Sequence, residues 1–322
     1  MSASGSLVSL EDIRAARAVH GDRLHRTPMF RSTTLGSWVD ADLYVKAELF
    51  QKTGSFKVRG VLNRLHNLPD EEKQKGVISL SAGNHAQAVA WAASAIGISS
   101  TIIMPANAVQ SKIDATRGYG GEVVLTDENL LAVTRRIQAE RGLTLIHPFD
   151  DPYIIAGHGT AGLELMEDLP DVDVVICGIG GGGIISGLAA AVKQIKPDVH
   201  VIGVEPEGAP GMTLSLAQGS AATLSSINTI ADGLAAPFVG ALNLAHVQAF
   251  VDEVVLIDDE SIKVAMRHLL ERTKLLVEPA GAAGTAALLS GKIKVPAGAK
   301  VCCFLSGGNI GATALARLMS ES

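Results

Sequence analysis

The chain has too few cysteines for a disulfide framework. Its 322 residues include three, Cys177, Cys302 and Cys303. The number is odd, and two of them are sequence neighbours that would point to opposite faces of a strand. Residues 1–9 also lack the basic region and apolar stretch of a signal peptide. These absences predict a protein of a reducing compartment, the cytoplasm.

Runs of lysine or arginine are absent as well. The chain carries 27 basic and 33 acidic side chains, and its pI is near 5.8. Because a polyanion is recognised through a basic surface, nucleic acid is not expected as a partner. The sequence contains no H-E-x-x-H motif and no spaced cysteine and histidine cluster that would indicate zinc.

One stretch without a charge, residues 174–192, is almost as long as a membrane span. Four consecutive glycines interrupt it: Gly180, Gly181, Gly182 and Gly183. Each of these costs a helix about 1 kcal/mol relative to alanine. We therefore interpret the stretch as a strand and a helix separated by this glycine turn, and a membrane is not expected as a partner.

Apolar runs of strand length alternate with amphipathic stretches through most of the chain. This alternation predicts an α/β fold with parallel sheets flanked by helices. Two loops that combine proline with aspartate, residues 68–72 and 148–152, are the expected crossing points between domains. We therefore expect a small, mobile domain of residues 69–153, inserted in a larger one built from residues 1–68 and 154–322.

The glycine turn is the first candidate binding site. A turn between a strand and a helix presents backbone N–H groups and the helix dipole to an anion such as phosphate. Gly178, Gly180 and Gly183 also satisfy G-x-G-x-x-G, and Glu205 ends the next predicted strand, where a ribose would bind. A nicotinamide enzyme is one alternative, and a turn that serves only close packing is another.

Lys57 is the second candidate. A helix is predicted to begin after Gly54 and Ser55, which places Lys57 in its first turn. The helix dipole disfavours a cation there, and an amine that is less stable when protonated is a better nucleophile. Lysine amines form Schiff bases with carbonyl compounds, including pyridoxal phosphate. The alternative interpretation is a solvated surface lysine.

Two further turns follow predicted strands. Residues 81–85, the serine turn, consist of small and polar residues that leave backbone N–H groups open to a carboxylate. Residues 306–309 end another strand, where open sheets bind ligands. Ordinary capped turns are the alternative for both. Together, three such turns and a helix-start lysine favour a phosphorylated, carbonyl-bearing cofactor and an amino-acid substrate over a catalytically silent binding protein.

Six ordered motifs resemble those of the serine/threonine dehydratases, fold-type II enzymes that use pyridoxal phosphate. The motifs are residues 48–60, 81–85, 180–183, 229–233, 278–279 and 306–309. The resemblance implies two open, twisted, mostly parallel sheets flanked by helices, with pyridoxal 5'-phosphate as cofactor. It also implies a homodimer. The nicotinamide interpretation accounts for only one of the six motifs.

The resemblance implies a role for each site residue. Lys57 would hold the cofactor through a Schiff base, Phe56 would lie against the pyridine ring, and Ser306 would bond the pyridine nitrogen. The glycine turn would bind the phosphate. The substrate carboxylate would bind the serine turn, which consists of Ser81, Ala82, Gly83, Asn84 and His85. Asn84 would also contact the 3'-hydroxyl of the cofactor, and Gly233 and Glu278 would line its ring.

The implied activity is β-elimination from L-threonine or L-serine, which gives 2-oxobutanoate or pyruvate and ammonia. Lys57 would remove the Cα proton as a general base. Dehydration of threo-3-hydroxyaspartate and serine racemisation are alternatives within the family. Racemases of the family usually have a serine at the position of Ala82. Because alanine transfers no proton, racemisation is expected to be slow or absent.

Two family features are altered in this chain. The divalent-cation site of the family uses a carboxylate that matches Glu205 and an acidic residue six positions on, where this chain has Gly211. Glu205 is therefore a weak metal candidate, and no metal is expected.

Some relatives append a regulatory domain, but this chain ends 13 residues after Asn309, so none is expected. The choice among 3-hydroxy amino acids is not predicted, because one methyl group changes binding by only about 1 to 3 kcal/mol.

Overall fold

The computed structural model describes residues 6–320, which form helices and strands in alternation. The strands are β1 (Met29–Arg31), β2 (Asp42–Ala47), β3 (Val77–Leu80), β4 (Ser100–Pro105), β5 (Glu122–Thr126), β6 (Thr144–Leu145), β7 (Val174–Gly178), β8 (His200–Pro206), β9 (Glu253–Ile257) and β10 (Lys300–Leu305). The helices are α1 (Leu10–His20), α2 (Thr33–Trp38), α3 (Lys57–His66), α4 (Asp70–Lys75), α5 (Asn84–Ala95), α6 (Gln110–Gly118), α7 (Leu130–Arg141), α8 (Pro152–Asp168), α9 (Gly183–Ile195), α10 (Gly211–Gln218), α11 (Ala241–Phe250), α12 (Asp259–His268), α13 (Pro279–Leu289) and α14 (Ala312–Ser320).

A six-stranded sheet forms the larger core. Its strand order is β1-β2-β10-β7-β8-β9, in which β1 pairs with β2 antiparallel and the remaining neighbours pair in parallel. Because successive side chains of a strand point to opposite faces, β10 contributes Cys303 to one hydrophobic core and Cys302 to the other. Both thiols are free and buried, and the two neighbouring cysteines point to opposite faces of a strand, as predicted.

A second sheet of four parallel strands lies within residues 77–145. Its order is β5-β4-β3-β6, and helices cover both of its faces. Ile78 and Ile103 belong to the core on one face, and Val77 and Met104 belong to the core on the other. The predicted α/β class with two mostly parallel sheets is therefore confirmed.

Three helices pack closely behind the sheets because glycines replace side chains where they touch. A Cβ added to Gly157 of α8 would lie 2.3 Å from the backbone oxygen of Arg59 in α3. A Cβ added to Gly187 of α9 would lie 2.2 Å from the backbone oxygen of Ile155 in α8. A side chain at either position would force the helices apart. These contacts hold both α3 and α9 close against α8.

Residues 174–192 divide at the glycines, as predicted. β7 ends at Gly178 and α9 begins at Gly183. Within residues 6–320 we find no helix that is both long and apolar enough to cross a membrane. The loop predicted at residues 68–72 is shorter than expected, because residues 70–75 form α4. Its first turn carries three acidic residues, which stabilise the positive end of a helix.

Candidate active site

The carboxyl ends of strands from both sheets face one cleft. Loops that follow β2, β7 and β10 of the large sheet and β3 of the small sheet enclose a cavity of about 390 Å³. Every residue predicted to bind cofactor or substrate lines this cavity: Phe56, Lys57, Ser81, Ala82, Gly83, Asn84, His85, Gly180, Gly181, Gly182, Gly183, Gly233, Glu278 and Ser306. Ligands of open α/β sheets bind at this edge of the strands.

Lys57 begins α3, and its amine lies at the cleft wall. The Nζ donates a hydrogen bond of 3.0 Å to the backbone oxygen of Pro148. Desolvation lowers the pKa of the Lys57 amine to about 8, and the Glu278 carboxylate acts in the opposite direction. A substantial neutral fraction near physiological pH follows, and the neutral amine is the form that acts as a nucleophile or base.

The glycine turn has no room for side chains. A Cβ added to Gly181 would lie 2.4 Å from a ring carbon of Phe149, and one added to Gly182 would lie 2.6 Å from the Cβ of Asn243. Gly182 also has a φ of +99°, which glycine adopts at little cost. Because α9 begins at Gly183, the turn presents backbone N–H groups and the positive end of the helix to the cleft.

The serine turn joins β3 to α5 and opens onto the cleft. A Cβ added to Gly83 would meet no atom within 4 Å. Its backbone N–H donates to the Ser81 hydroxyl at 3.2 Å, and α5 begins at Asn84. Burial lowers the pKa of His85 to about 3, so this imidazole is neutral. An open loop at a helix N-terminus suits a carboxylate.

Asn84 is held by hydrogen bonds that reach across the cleft. Its Nδ2 donates to Glu278 Oε1 at 2.6 Å, and its Oδ1 accepts from Asn309 Nδ2 at 2.8 Å. Burial raises the pKa of Glu278 to about 7, and the charge of Asp232 acts in the same direction. These bonds fix the amide of Asn84 and join α5 of the small sheet to loops of the large sheet.

Phe56 and Ser306 are adjacent in the cleft. The backbone N–H of Phe56 donates to the backbone oxygen of Ser306 at 3.1 Å. The Phe56 ring packs edge-on against His158 and Phe304, with centroid distances of 4.7 and 6.4 Å. Both predicted ring contacts of the cofactor are thus fixed by the core beneath them.

A buried ion network anchors α3 two residues after Lys57. Arg59 donates from Nε to Glu48 Oε2 at 2.7 Å and from Nη1 to Glu164 Oε1 at 2.7 Å. The arginine is 1% exposed. Because a buried charge must be paired, these bonds tie α3 firmly to the turn after β2 and to α8.

Sequence reasoning missed several residues of the cleft. Lys112 of α6 pairs with Asp232 at 3.0 Å, so an ion pair spans the cleft between the two sheets. The ring of Phe149 covers the glycine turn. Lys112 and Phe149 belong to none of the six motifs. Asp232 lies in the motif of residues 229–233, so its place in that motif could have indicated it as a cleft residue.

Glu205 does not line the cleft. Its carboxylate accepts hydrogen bonds from the first turn of α10, from the Met212 N–H at 2.6 Å, the Thr213 N–H at 2.8 Å and the Thr213 hydroxyl at 2.7 Å. The buried carboxylate therefore satisfies a helix N-terminus and is not directed at a ribose on the glycine turn. Among residues 6–320, no group of three histidine, cysteine or acidic side chains forms a potential metal site.

Comparison with known proteins decides between the two cofactor hypotheses. The family described as "Pyridoxal-phosphate dependent enzyme" matches residues 22–307. The chain belongs to this family. The cofactor of this pyridoxal-phosphate-dependent enzyme is pyridoxal 5'-phosphate, as the resemblance implied, and the nicotinamide alternative is discarded.

Relatives of this pyridoxal-phosphate-dependent enzyme include proteins named as ammonia-lyases and proteins named as racemases. An L-threonine ammonia-lyase of Thermotoga maritima is 44% identical over 98% of this chain and 79% of its own length. A serine racemase of Oryza sativa subsp. indica is 42% identical over 95% of this chain and 92% of its own length. The structure of maize serine racemase superposes with a TM-score of 0.92 at 41% identity and covers 98% of both chains.

The cleft of this pyridoxal-phosphate-dependent enzyme fits the cofactor. The turn requires glycine, because a Cβ at Gly181, Gly182 or Gly183 would collide with Phe149 or Asn243. Near Lys57, two buried polar atoms have no protein partner in the described structure: the Ser55 hydroxyl and His85 Nδ1. Of these two residues, His85 lines the cavity. A turn at a helix N-terminus, a lysine with lowered pKa and an unpartnered polar atom at one cavity suit a phosphorylated aldehyde.

Proposed function

We propose that the protein is an ammonia-lyase that eliminates water from L-threonine or L-serine and yields 2-oxobutanoate or pyruvate and ammonia. One observation carries the proposal. The Lys57 amine, with a pKa lowered to about 8, faces a cavity bounded by an anion-binding glycine turn and an open serine turn. Relatives named threonine ammonia-lyase or dehydratase at 42 to 45% identity support this choice.

The cofactor would be held by residues that line the cleft. The glycine turn would bind the phosphate, Lys57 the aldehyde carbon and Ser306 the pyridine nitrogen, while Phe56 and Gly233 would line the ring. Asn84 would contact the 3'-hydroxyl, and Glu278 would orient the Asn84 amide through the 2.6 Å hydrogen bond. Bound pyridoxal phosphate supplies the electron sink that stabilises negative charge at the substrate Cα.

Lys57 is the proposed general base. Its Nζ, freed when the substrate amine replaces it at the aldehyde carbon, would remove the proton from the substrate Cα, while the serine turn would hold the substrate carboxylate. The backbone oxygen of Pro148 orients the amine and keeps it in the cleft. The 3-hydroxyl would then leave as water with the proton that Lys57 removed. The remaining enamine would be converted by water to the 2-keto acid and ammonia after release.

Ala82 sets the stereochemical outcome. Its methyl group lines the cavity, and it has no proton to give or take. We propose that a second proton transfer on the face opposite Lys57 is therefore absent, so that elimination prevails over racemisation. Serine racemase remains the second candidate, because relatives with that name are 42% identical to this chain.

Closure of the cleft excludes water during the reaction. We propose that residues 69–153 move as a small domain against residues 1–68 and 154–322, with the Lys112 and Asp232 ion pair holding the closed state.

A homodimer in the cytoplasm is also proposed. Phe30 and Phe50 support it, because they form an exposed apolar pair: their rings meet edge to face with centroids 6.1 Å apart, and the residues are 39 and 45% exposed. Analytical ultracentrifugation tests the dimer.

Keto-acid release from L-threonine, L-serine and threo-3-hydroxyaspartate tests the function. We expect turnover of L-threonine or L-serine by the wild-type protein with pyridoxal phosphate, loss of turnover in Lys57→Ala, and wild-type turnover in the exposed control Lys294→Ala. Chiral chromatography of the L-serine reaction separates the two candidates. D-serine formed faster than pyruvate would favour the racemase, and turnover in Lys57→Ala would refute the role of Lys57.

A further inference from the structure

One buried amide connects the glycine turn with the segment that holds Lys57. Asn243 lies in the first turn of α11, is 0% exposed and does not line the cleft. Its Nδ2 donates to the backbone oxygen of Phe149 at 3.3 Å and to the Ser186 hydroxyl at 3.2 Å. The side chain therefore bridges two elements that meet only in the folded structure.

On one side, Asn243 supports the glycine turn from behind. The Ser186 hydroxyl, which accepts from Asn243, donates to the backbone oxygen of Gly182 at 2.7 Å. The Cβ of Asn243 occupies the space where a side chain at Gly182 would lie. The backbone N–H of Gly240, just before α11, donates to the oxygen of Gly181 at 3.3 Å. The first turn of α11 thus fixes the conformation of the glycine turn.

On the other side, Asn243 fixes residues 148–150. The Asp150 carboxylate accepts from the backbone N–H groups of Ala241 and Leu242 at 3.2 and 3.1 Å, next to the bond from Asn243 to Phe149. The neighbouring Pro148 accepts the hydrogen bond of the Lys57 amine. The position of this amine is therefore linked to α11 through one short segment.

We propose that Asn243 is a positioning residue that holds the glycine turn and the Lys57 anchor segment at the spacing required by bound pyridoxal phosphate. The cofactor is rigid, and its phosphate and aldehyde lie at separate positions of one ring. Both ends bind well only when the turn and the lysine are correctly spaced. A neutral amide serves this purpose, since it donates to Phe149 without placing a negative charge behind the phosphate. The inference rests on the proposed role of the glycine turn.

The decisive variant is Asn243→Asp, which keeps the shape, cannot donate to Phe149 and adds a negative charge. We expect the Kd of the apoenzyme for pyridoxal phosphate to rise at least tenfold and the 31P resonance of the bound cofactor to move. Asn63→Asp is the matched control. Asn63 is 3% exposed, lies outside the cleft and donates to the backbone oxygen of Tyr153 at 2.8 Å, so its variant should keep the wild-type Kd and 31P resonance.

A wild-type Kd and 31P resonance in Asn243→Asp would overturn the inference, as would equal changes in Asn63→Asp. If Asn243→Asp yields no folded apoenzyme, Ser186→Ala decides, because it removes only the hydroxyl between Asn243 and Gly182. A Kd raised several-fold supports the inference, and an unchanged Kd overturns it. A wild-type protein that does not bind pyridoxal phosphate would instead overturn the proposed function, so the two failures are distinguishable.

Discussion

Replacing Lys57 by methionine should stabilise the protein without cofactor at neutral pH. Burial lowers the pKa of this amine from 10.5 to about 8. At about 1.4 kcal/mol per pKa unit, the protonated amine is disfavoured in the folded state by about 3 kcal/mol. Methionine avoids this cost but loses the hydrogen bond to Pro148, worth about 1 kcal/mol. The net gain in the free energy of unfolding at pH 7 should be about 2 kcal/mol.

The sign of the pH dependence follows from linkage. The folded amine loses its proton at a lower pH than the unfolded amine, so the unfolded state binds more protons between pH 8 and 10.5. The stability of the wild-type apoenzyme therefore gains from this group as the pH rises through that window. The advantage of Lys57→Met should accordingly shrink by about 3 kcal/mol between pH 7 and pH 10.5.

Urea unfolding of the apoenzyme at several pH values measures this difference. The comparison includes wild type, Lys57→Met and the exposed control Lys294→Met. Other titrating groups contribute equally to the free energy of unfolding of all three proteins, so their contributions cancel in the differences. The control reports the effect of removing an exposed lysine that lies outside the cleft. A difference between Lys57→Met and wild type that is independent of pH would refute the reasoning, because it would mean that Lys57 is not desolvated in the cleft.

Three further changes test the cleft. Gly181→Ala should raise the Kd for pyridoxal phosphate at least tenfold, because the new Cβ would lie 2.4 Å from the Phe149 ring; an unchanged Kd in a fluorescence titration would contradict the phosphate site. Ala82→Ser should produce D-serine from L-serine, measured by chiral chromatography, and its absence would show that this position does not reach the Cα proton. Lys112→Met should raise KM several-fold, because the ion pair that holds the closed state is lost. The free energy of unfolding should change by less than about 1 kcal/mol, since Asp232 is two-thirds exposed. An unchanged KM would argue against a closing ion pair.

Motifs that are continuous in sequence predicted the cleft well. Strand, turn and helix follow one another at the glycine turn and the serine turn, so the local pattern already implied anion sites at helix N-termini. The same logic placed Lys57 at the start of α3. The assigned roles of these residues stay predictions until the proposed variants are measured.

Residues that act through long-range contacts could not be predicted from the sequence. Asn243 lies in an apolar helix without a motif, and its importance arises because α11 packs against both Phe149 and Gly182. For Glu205, the sequence instead predicted a ligand contact that the structure does not show. Its place at the end of β8 suggested a ligand, but α10 folds back over it and uses its carboxylate.

The sequence by itself determined the class of fold, the glycine turn and the place of Lys57 at the start of a helix, because each depends on the order of neighbouring residues. Only the tertiary structure decided how these parts act together. The Lys57 pKa depends on the walls of the cleft, and the ion pair of Lys112 and Asp232 depends on how two sheets face each other. Desolvation and charge pairing are properties of groups that folding brings into contact, so they are absent from any local pattern.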